Sequence, residues 1–234
     1  MKAPAVATRD EWLAARKELL AEEKAFMRQR DTLSAKRRQL PWVKVEKNYT
    51  FQGLNGERTL AELFGDKSQL IVQHFMFGED WDQGCPSCSF WADGYNGITT
   101  HMAHRDAAFV AVSNAPYPQI DAYKRRMGWT FDWFSSHGSS FNYDYHVSFT
   151  KEQLESGSAD YNFGKSFGGE EAPGTSIFAK DDANNVYHTY SCYGRGLDNM
   201  NAAYQYLDLL PKGRDEDELQ FPMAWVRRHD QYED

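Results

Sequence analysis

The sequence predicts an α/β domain in which a central mixed sheet is flanked by helices. Two apolar runs, at 70–77 and 107–112, lack the alternation of a half-exposed strand, which is typical of strands covered on both faces. A segment of helical character follows each run, and shorter runs at 175–179 and 185–190 then form a hairpin pattern. Strands that alternate with helices in this way indicate crossover connections between parallel strands.

Residues 1–41 are predicted to form a helical extension in front of this domain. Thr8 and Glu11 have the spacing of a capping box, and Pro41 ends the helical pattern. Because a single helix cannot bury an apolar stripe, we expect the extension to wrap the domain or to pack against a second copy of the chain. A homodimer is therefore a hypothesis. The stripe consists of Trp12, Leu13, Leu19, Leu20, Phe26, Met27 and Leu33.

The domain proper is predicted to extend over 42–211, where the apolar pattern changes from a helical period to that of strands. Its elements are predicted as strands around 43–45 and 49–51, a short helix at 59–64, the strand 70–77, a helix from 86 to about 104 with Gly94 and Gly97 as candidate interruptions, the strand 107–112, a helix at 120–127, the hairpin, and a last helix from about 197 to 210. The remaining tail, 212–234, is acidic and then aromatic, and we expect Phe221 and Trp225 to dock on the domain.

An insertion at about 128–172 interrupts the alternation of strands and helices. A loop-rich segment of this length is usually functional or a lid. Its aromatic side chains either line a pocket or fill a small core of their own, and the pattern leaves both interpretations open. They are Trp129, Phe131, Trp133, Phe134, Phe141, Tyr143, Tyr145 and Phe149.

Composition excludes several classes of function. The formal net charge is −8, whereas a nucleic-acid-binding surface needs a clustered excess of Lys and Arg, so no binding of DNA or RNA is expected. No apolar run approaches the roughly 18 residues of a membrane span, and the N-terminal segment lacks the apolar region of a signal peptide. The expected location is the cytoplasm, without membrane association.

The strongest chemical signal is the C-x-x-C motif formed by Cys85, Pro86, Ser87 and Cys88, which follows the strand 70–77 and opens a predicted helix. Pro86 suits the first helical position, which places Cys85 at the N-cap, beside unpaired N–H groups and the positive end of the helix dipole. A thiolate is stabilised there, so we expect the pKa of Cys85 to lie below the usual value of about 8.5. Cys88 shares a helical face with Cys85, near enough to close a disulfide. The motif therefore predicts a redox dithiol in which Cys85 attacks and Cys88 resolves.

The C-x-x-C motif also has interpretations other than a redox dithiol. A zinc site generally needs a second ligand pair, and the third cysteine, Cys192, has no C-x-x-C partner; haem attachment needs a histidine where Ser89 stands. A structural disulfide, or binding and delivery of a soft metal ion by the two thiolates, remains an alternative. No metal site and no cofactor is predicted, and His101 and His104, which have a ligand-like spacing, are interpreted as surface or core polar residues.

Residues around the motif qualify this interpretation. Acidic residues just upstream, namely Glu79, Asp80 and Asp82, oppose thiolate formation while the helix N-terminus favours it, which leaves the redox potential open. Cys192 is interpreted as a small buried residue rather than a third redox thiol. We expect Arg125, Arg126 and Arg195 to pair with carboxylates rather than to bind an acidic substrate.

Three stretches of the chain, 75–78, 84–93 and 193–198, resemble a bacterial thioredoxin-like family of unknown function, and the likeness extends over nearly the whole chain, including 211–215. Members of that family carry the label dithiol-disulfide oxidoreductase, which is inferred from the fold. The resemblance implies a thioredoxin-like fold with the N-terminal extension and the aromatic insertion added. It also implies an enzyme acting on a thiol or disulfide substrate, either a protein or glutathione.

The resemblance adds two substrate-binding candidates, Trp81 and Pro173. In thioredoxin-like proteins a cis-proline precedes the strand that faces the dithiol, and Pro173 stands at the matching place, where its backbone would receive an extended peptide or a thiol. The usual Trp-Cys-Gly-Pro-Cys motif is altered here, because Pro86 follows the attacking cysteine and Trp81 lies four residues before it. We expect insertion aromatics to close over this spot. Thiol-dependent peroxide reduction is the alternative activity, weakened because the motif lacks the Thr-x-x-Cys pattern.

Overall fold

The computed structural model of the protein describes residues 5–165 and 167–233, and the chain divides into two units, Met1–Pro41 and Trp42–Asp234. The first unit contains helix α1, Arg9–Arg37. Its predicted capping box is present, because the Glu11 N–H donates to the Thr8 hydroxyl and the Glu11 carboxylate accepts from the Thr8 N–H. The large apolar side chains of the predicted stripe are exposed, and the homodimer stays a prediction. No helix in the described ranges combines the length and the apolar character needed to cross a membrane.

The second unit is built from strands and helices that follow the predicted alternation. Its strands are β1 (Val43–Lys44), β2 (Thr50–Gly53), β3 (Gly56–Thr59), β4 (Gln69–His74), β5 (Ala107–Ser113), β6 (Asp132–Ser135), β7 (Gly174–Lys180) and β8 (Val186–Tyr193). Its α-helices are α2 (Pro86–Ala92), α3 (Tyr95–Ala103), α4 (Tyr117–Arg126), α5 (Phe141–Asp144), α6 (Lys151–Glu155) and α7 (Ala202–Leu207), and 3-10 turns lie at Glu62–Phe64, Gly194–Met200 and His229–Gln231.

These strands form one mixed sheet, whose order among the described residues is β1-β8-β7-β4-β5-β6-β2-β3. The central strand β4 runs parallel to β5 and antiparallel to β7, and β7 forms an antiparallel hairpin with β8. The observed order of elements matches the predicted one. Strand β4 is followed by α2 and α3, the parallel strand β5 by α4, and the hairpin of β7 and β8 by α7. The α/β class and the thioredoxin-like fold are thereby confirmed.

Two apolar clusters cover the opposite faces of the sheet. Leu70 and Val72, alternate residues of β4, are fully buried in the cluster on one face, together with Phe178 of β7. Burial of each such side chain contributes roughly 1.5–3 kcal/mol. Phe75, just beyond β4, belongs to the cluster on the other face, where Cys88 of α2 is also buried. Helix α2, which contains Cys88, therefore lies on the same face of the sheet as α4.

Several predicted helices are shorter than expected. The helical segment from 86 to about 104 is divided into α2 and α3 at Gly94, one of its two candidate interruptions, because glycine is a weak helix former. The last helix, predicted from about 197, begins instead with a 3-10 turn at Gly194–Met200 and continues as α7. The Asn201 side chain accepts from the Tyr204 N–H and so acts as the N-cap of α7.

The insertion is less irregular than its sequence indicates. Within it, β6 joins the sheet parallel to β5, and its Trp133 packs into the α2-side cluster with Trp129 and Phe131. Phe141 and Tyr145 are buried in the cluster on the opposite face. These aromatic side chains are buried in the two clusters, and the expectation that some of them close over the dithiol stays a prediction.

The tail after α7 docks through a different set of side chains than predicted. Phe221 is 57% exposed, contrary to expectation. Trp225 does dock, because its ring contacts Phe90 of α2 and its indole N–H donates to the Glu216 carboxylate at 2.6 Å. Val226, which the sequence did not single out, is buried.

Candidate active site

Cys85 is the N-cap residue of α2 and Pro86 is the first residue of that helix, as predicted. The Cys85 N–H donates to the Met76 carbonyl oxygen at 3.0 Å, which ties the loop before the helix to the end of β4. The Met76 N–H in turn points at the Cys88 sulfur, 3.4 Å away. A single peptide segment at the strand end therefore holds both cysteines. Cys85 is half-buried and Cys88 is buried.

The two thiols have opposite electrostatic character. The hydrogen bond from the Cys88 thiol is the main cause that lowers the pKa of Cys85 to about 7, against the opposing effect of burial. Backbone N–H groups of Ser87 and Cys88 at the helix N-terminus act in the same direction. The same hydrogen bond and complete burial raise the pKa of Cys88 well above its usual value. At neutral pH Cys85 is partly a thiolate, whereas Cys88 keeps its proton.

Trp81 is the first of the two substrate-binding candidates. Trp81 is half-buried and packs against the same cluster as Cys85. Its indole lies directly over Gly78, where a Cβ would approach the ring nitrogen to 2.9 Å, so this position requires glycine. Trp81 therefore packs within the loop that leads from β4 to Cys85, against the same apolar cluster as that cysteine.

The expectation of a cis bond before Pro173 is wrong, because no cis peptide bond occurs in the described residues. The neighbouring contacts hold this segment extended: the Tyr161 hydroxyl donates to the Pro173 carbonyl at 2.7 Å, and Glu171 forms an antiparallel bridge with Ser148. The predicted position of the following strand is nevertheless confirmed, since Gly174 of β7 lies opposite His74 of β4. The Pro173 carbonyl is engaged by Tyr161, and a role for Pro173 in substrate binding stays a prediction.

Other residues that the sequence singled out lie at the surface or in ion pairs. Arg125 pairs with Asp121 and Arg126 with Asp230, as expected of arginines that meet nearby carboxylates. Within 5–165 and 167–233, no group of three or more His, Cys, Asp and Glu is placed to hold a metal ion. His101 and His104 are exposed, Cys192 is half-buried on β8 opposite Thr175, and Arg195 lies beside Asp198.

Glu171 is a site residue that the sequence did not reveal, because Glu170 and Glu171 look like an ordinary acidic surface pair. The Glu171 side chain is buried, accepting from the Ser148 hydroxyl at 2.9 Å and from the Asn114 amide at 3.2 Å. Burial raises its pKa to about 7. Its charge is one of the causes that raise the pKa of Cys88.

Arg228 of the C-terminal tail is a second residue that the sequence did not reveal. Its guanidinium donates to the Gly84 carbonyl, immediately before Cys85, at 2.6 and 3.1 Å, and to the Tyr123 hydroxyl at 3.0 Å. The Tyr123 hydroxyl lies 2.8 Å from the Ser89 hydroxyl, which donates to the Cys85 carbonyl at 2.8 Å. Arg228 is therefore a positioning residue for the first turn of α2.

Replacement of Arg228 by alanine is expected to lower the free energy of unfolding by about 2 kcal/mol, because the Gly84 carbonyl and the Tyr123 hydroxyl lose a charged donor. Urea unfolding monitored by tryptophan fluorescence measures the change. Arg105→Ala, which removes an exposed arginine, is the matched control. Equal losses in the two variants would contradict the positioning role.

A family model described as bacterial protein of unknown function (DUF899) matches residues 1–232. A search of curated proteins found no match.

Solved structures with a similar fold include three bacterial proteins of low sequence identity. Peroxidoxin BcpB from Mycobacterium tuberculosis has 13% identity, with 71% of this chain and 97% of that chain covered and a TM-score of 0.42. Peroxiredoxin Q from Xanthomonas campestris has 15% identity, with 67% and 89% covered and a TM-score of 0.45. A candidate protein disulfide isomerase from Bacteroides thetaiotaomicron has 14% identity, with 76% and 97% covered and a TM-score of 0.39. Since the family model spans nearly the whole sequence, the chain belongs to the bacterial family of unknown function DUF899.

Proposed function

We propose that the protein is a thiol-disulfide oxidoreductase in which Cys85 attacks a substrate disulfide and Cys88 resolves the mixed disulfide. The observation that carries this proposal is the contrast between the two thiols of one helical turn. Cys85, half-buried at the helix N-cap, has its pKa lowered to about 7, and Cys88, buried, has its pKa raised. An accessible thiolate beside a shielded thiol is the arrangement that two-step thiol-disulfide exchange requires.

The reaction follows from these roles. The Cys85 thiolate attacks one sulfur of the substrate disulfide, the substrate S–S bond breaks, and the first thiolate leaves as a bond forms between Cys85 and the other sulfur. Cys88 then attacks the Cys85 sulfur, closing the Cys85–Cys88 disulfide and releasing the second thiolate. Two electrons pass from the protein to the substrate, and the two leaving thiolates take up protons. The reverse sequence oxidises a dithiol substrate.

The substrate class follows from the surroundings of Cys85. The half-buried Trp81 and Met76 pack against the same cluster as Cys85, so that an apolar wall stands beside the attacking sulfur. Glu79 and Asp80, which lie between Met76 and Trp81 in the chain, are acidic and exposed. Such surroundings favour a disulfide with an apolar or uncharged group next to its sulfur over a strongly anionic one. We assign a small disulfide or an exposed disulfide of another protein as substrate, with the uncharged bis(2-hydroxyethyl) disulfide as the first compound to test and the anionic oxidised glutathione as the comparison.

Limited alkylation tests the proposal directly. At pH 7 iodoacetamide is expected to label Cys85 at least about 10-fold faster than Cys88, because only the first is accessible and partly ionised. The labelling rate should rise with pH and reach half its maximum near pH 7, the pKa of Cys85. Peptide mass spectrometry assigns the label to each cysteine.

A redox titration of the same protein with glutathione is expected to give a reversible disulfide between Cys85 and Cys88. Preferential labelling of Cys88 or Cys192, or no oxidised form at any potential, contradicts the proposal. Metal analysis of protein purified without oxygen distinguishes the alternative of metal binding, because bound metal would protect both thiols from alkylation until a chelator is added.

A further inference from the structure

The buried carboxyl of Glu171 has no partner of opposite charge among the described residues. Its side chain is 6% exposed, and its two hydrogen-bond donors, Ser148 and Asn114, are both neutral. No ion pair of the described ranges includes it. Burying a carboxylate without a cation is unfavourable, and such groups concentrate where a reaction needs an acid or a base.

The position of Asn114 places this carboxyl next to the dithiol. The Phe75 N–H donates to the Val112 carbonyl at 2.9 Å, and the Ala115 N–H donates to the Phe77 carbonyl at 2.8 Å. Asn114, between these two contacts, therefore lies alongside Met76, whose N–H points at the Cys88 sulfur at 3.4 Å. The amide of Asn114 donates to Glu171 from this position.

On the other side of β4, the neighbouring strand β7 also places Glu171 near the end of β4. Gly174 of β7 lies opposite His74, so the chain that precedes Gly174 runs past the residues that follow β4. Glu171 is in this segment. Two neighbouring strands therefore bring Asn114 and Glu171 to the strand end that contacts Cys88.

We propose that Glu171 is the base that accepts the Cys88 proton in the resolving step, an inference that rests on the proposed function. In the mixed disulfide, the Glu171 carboxylate takes the proton from the Cys88 thiol through one bridging water. The Cys88 thiolate attacks the Cys85 sulfur, the Cys85–Cys88 bond forms, and the bond from Cys85 to the substrate sulfur breaks. The electron pair of that bond leaves on the substrate thiolate, which is protonated from solvent or from the Glu171 carboxylic acid.

The other titratable groups that interact with Cys88 or Glu171 do not serve this purpose. Tyr95 and Tyr161 interact electrostatically with Cys88, but burial raises the pKa of both phenols far above neutrality, so both keep their protons. Cys85 is bonded to the substrate in this step. Glu170 is exposed, and its charge adds to the rise in the pKa of Glu171. Glu171, with a pKa of about 7, is the group that changes protonation near neutral pH.

The test uses the full chain in a Cys192→Ser background and the chromogenic disulfide 4,4′-dithiodipyridine, which is uncharged near neutral pH. Attack by Cys85 releases the first thiopyridone and resolution by Cys88 releases the second, so stopped-flow absorbance separates the two steps. Glu171→Gln is expected to leave the first release within about 2-fold of the parent rate and to slow the second by about 100-fold at pH 7, the effect of losing a general base. Glu170→Gln, the matched neighbour, is expected to change either step by no more than about 2-fold, because the Glu170 charge is exposed and therefore screened by solvent.

The pH profile distinguishes a base from a structural role. In the parent protein the second release should accelerate with rising pH and level off above about pH 7, and Glu171→Gln should lose this inflection. A parent profile without an inflection between pH 5.5 and 8.5, or an unchanged second release in Glu171→Gln, would overturn the proposal while the dithiol mechanism stands. The parent profile also decides the matter if Glu171→Gln does not fold. Absence of any second release in the parent would instead refute the proposed function.

Discussion

Replacement of Cys85 by serine is expected to reduce the rate of disulfide reduction by at least about 10³-fold, the largest effect of any single change. A serine hydroxyl at the N-cap still accepts helix N–H groups and preserves the fold, but it remains protonated at neutral pH and does not form an S–S bond. Cys88 does not replace the missing nucleophile, because it is buried and its pKa is raised.

Turnover of oxidised glutathione and of a small aromatic disulfide, with dithiothreitol as the reductant, measures this loss. The matched control is Cys192→Ser, the same chemical change on β8, which is expected to keep turnover within about 2-fold of the parent, since Cys192 has no part in the proposed exchange. Activity that persists in Cys85→Ser, or an equal loss in Cys192→Ser, would exclude Cys85 as the attacking thiol.

Replacement of Cys88 by serine is expected to give the second largest effect, arrest of the reaction at the mixed disulfide. Cys85 still attacks, because it stays at the helix N-terminus, but no thiol remains to break its bond to the substrate. With the chromogenic disulfide of the stopped-flow assay, each protein molecule should release one chromophore instead of two. Steady-state turnover should fall by about 10²-fold or more, to the rate at which external thiol resolves the adduct.

Intact mass spectrometry under non-reducing conditions detects the trapped adduct, which a reductant should remove. The Cys85→Ser/Cys88→Ser double variant serves as the control, because it should trap nothing. Turnover equal to the parent in Cys88→Ser would show that an external thiol completes the cycle and that Cys88 has only a structural role. Adducts formed in cell extract additionally identify protein substrates, if the substrate is a protein.

The sequence was most informative where the interactions are local. The capping box of Thr8 and Glu11 and the N-cap position of Cys85 each depend on residues within one helical turn, and both are present as predicted. The buried runs that became β4 and β5 were recognised because strands covered on both faces carry apolar residues throughout. The order of these elements predicted the α/β class, and the resemblance to a thioredoxin-like family implied the finer fold.

The tertiary structure decided which distant residues meet the dithiol. Glu171 and Arg228 look like surface charges in the sequence, and only the packing of β7 and of the tail brings them to Cys88 and Gly84. The aromatic residues of the insertion look like a lid, but β6 carries Trp133 into the core instead.

The physical reason is the range over which each interaction acts along the chain. A cap, a turn or a buried strand leaves a pattern within a few neighbouring residues, whereas the pKa of a buried carboxyl depends on desolvation by segments far away in sequence. The sequence alone therefore predicted Cys85 as the candidate nucleophile, the helix that follows it and the order of the fold. The tertiary structure decided the surroundings of Cys88, because burial and long-range contacts exist only once the sheet has assembled.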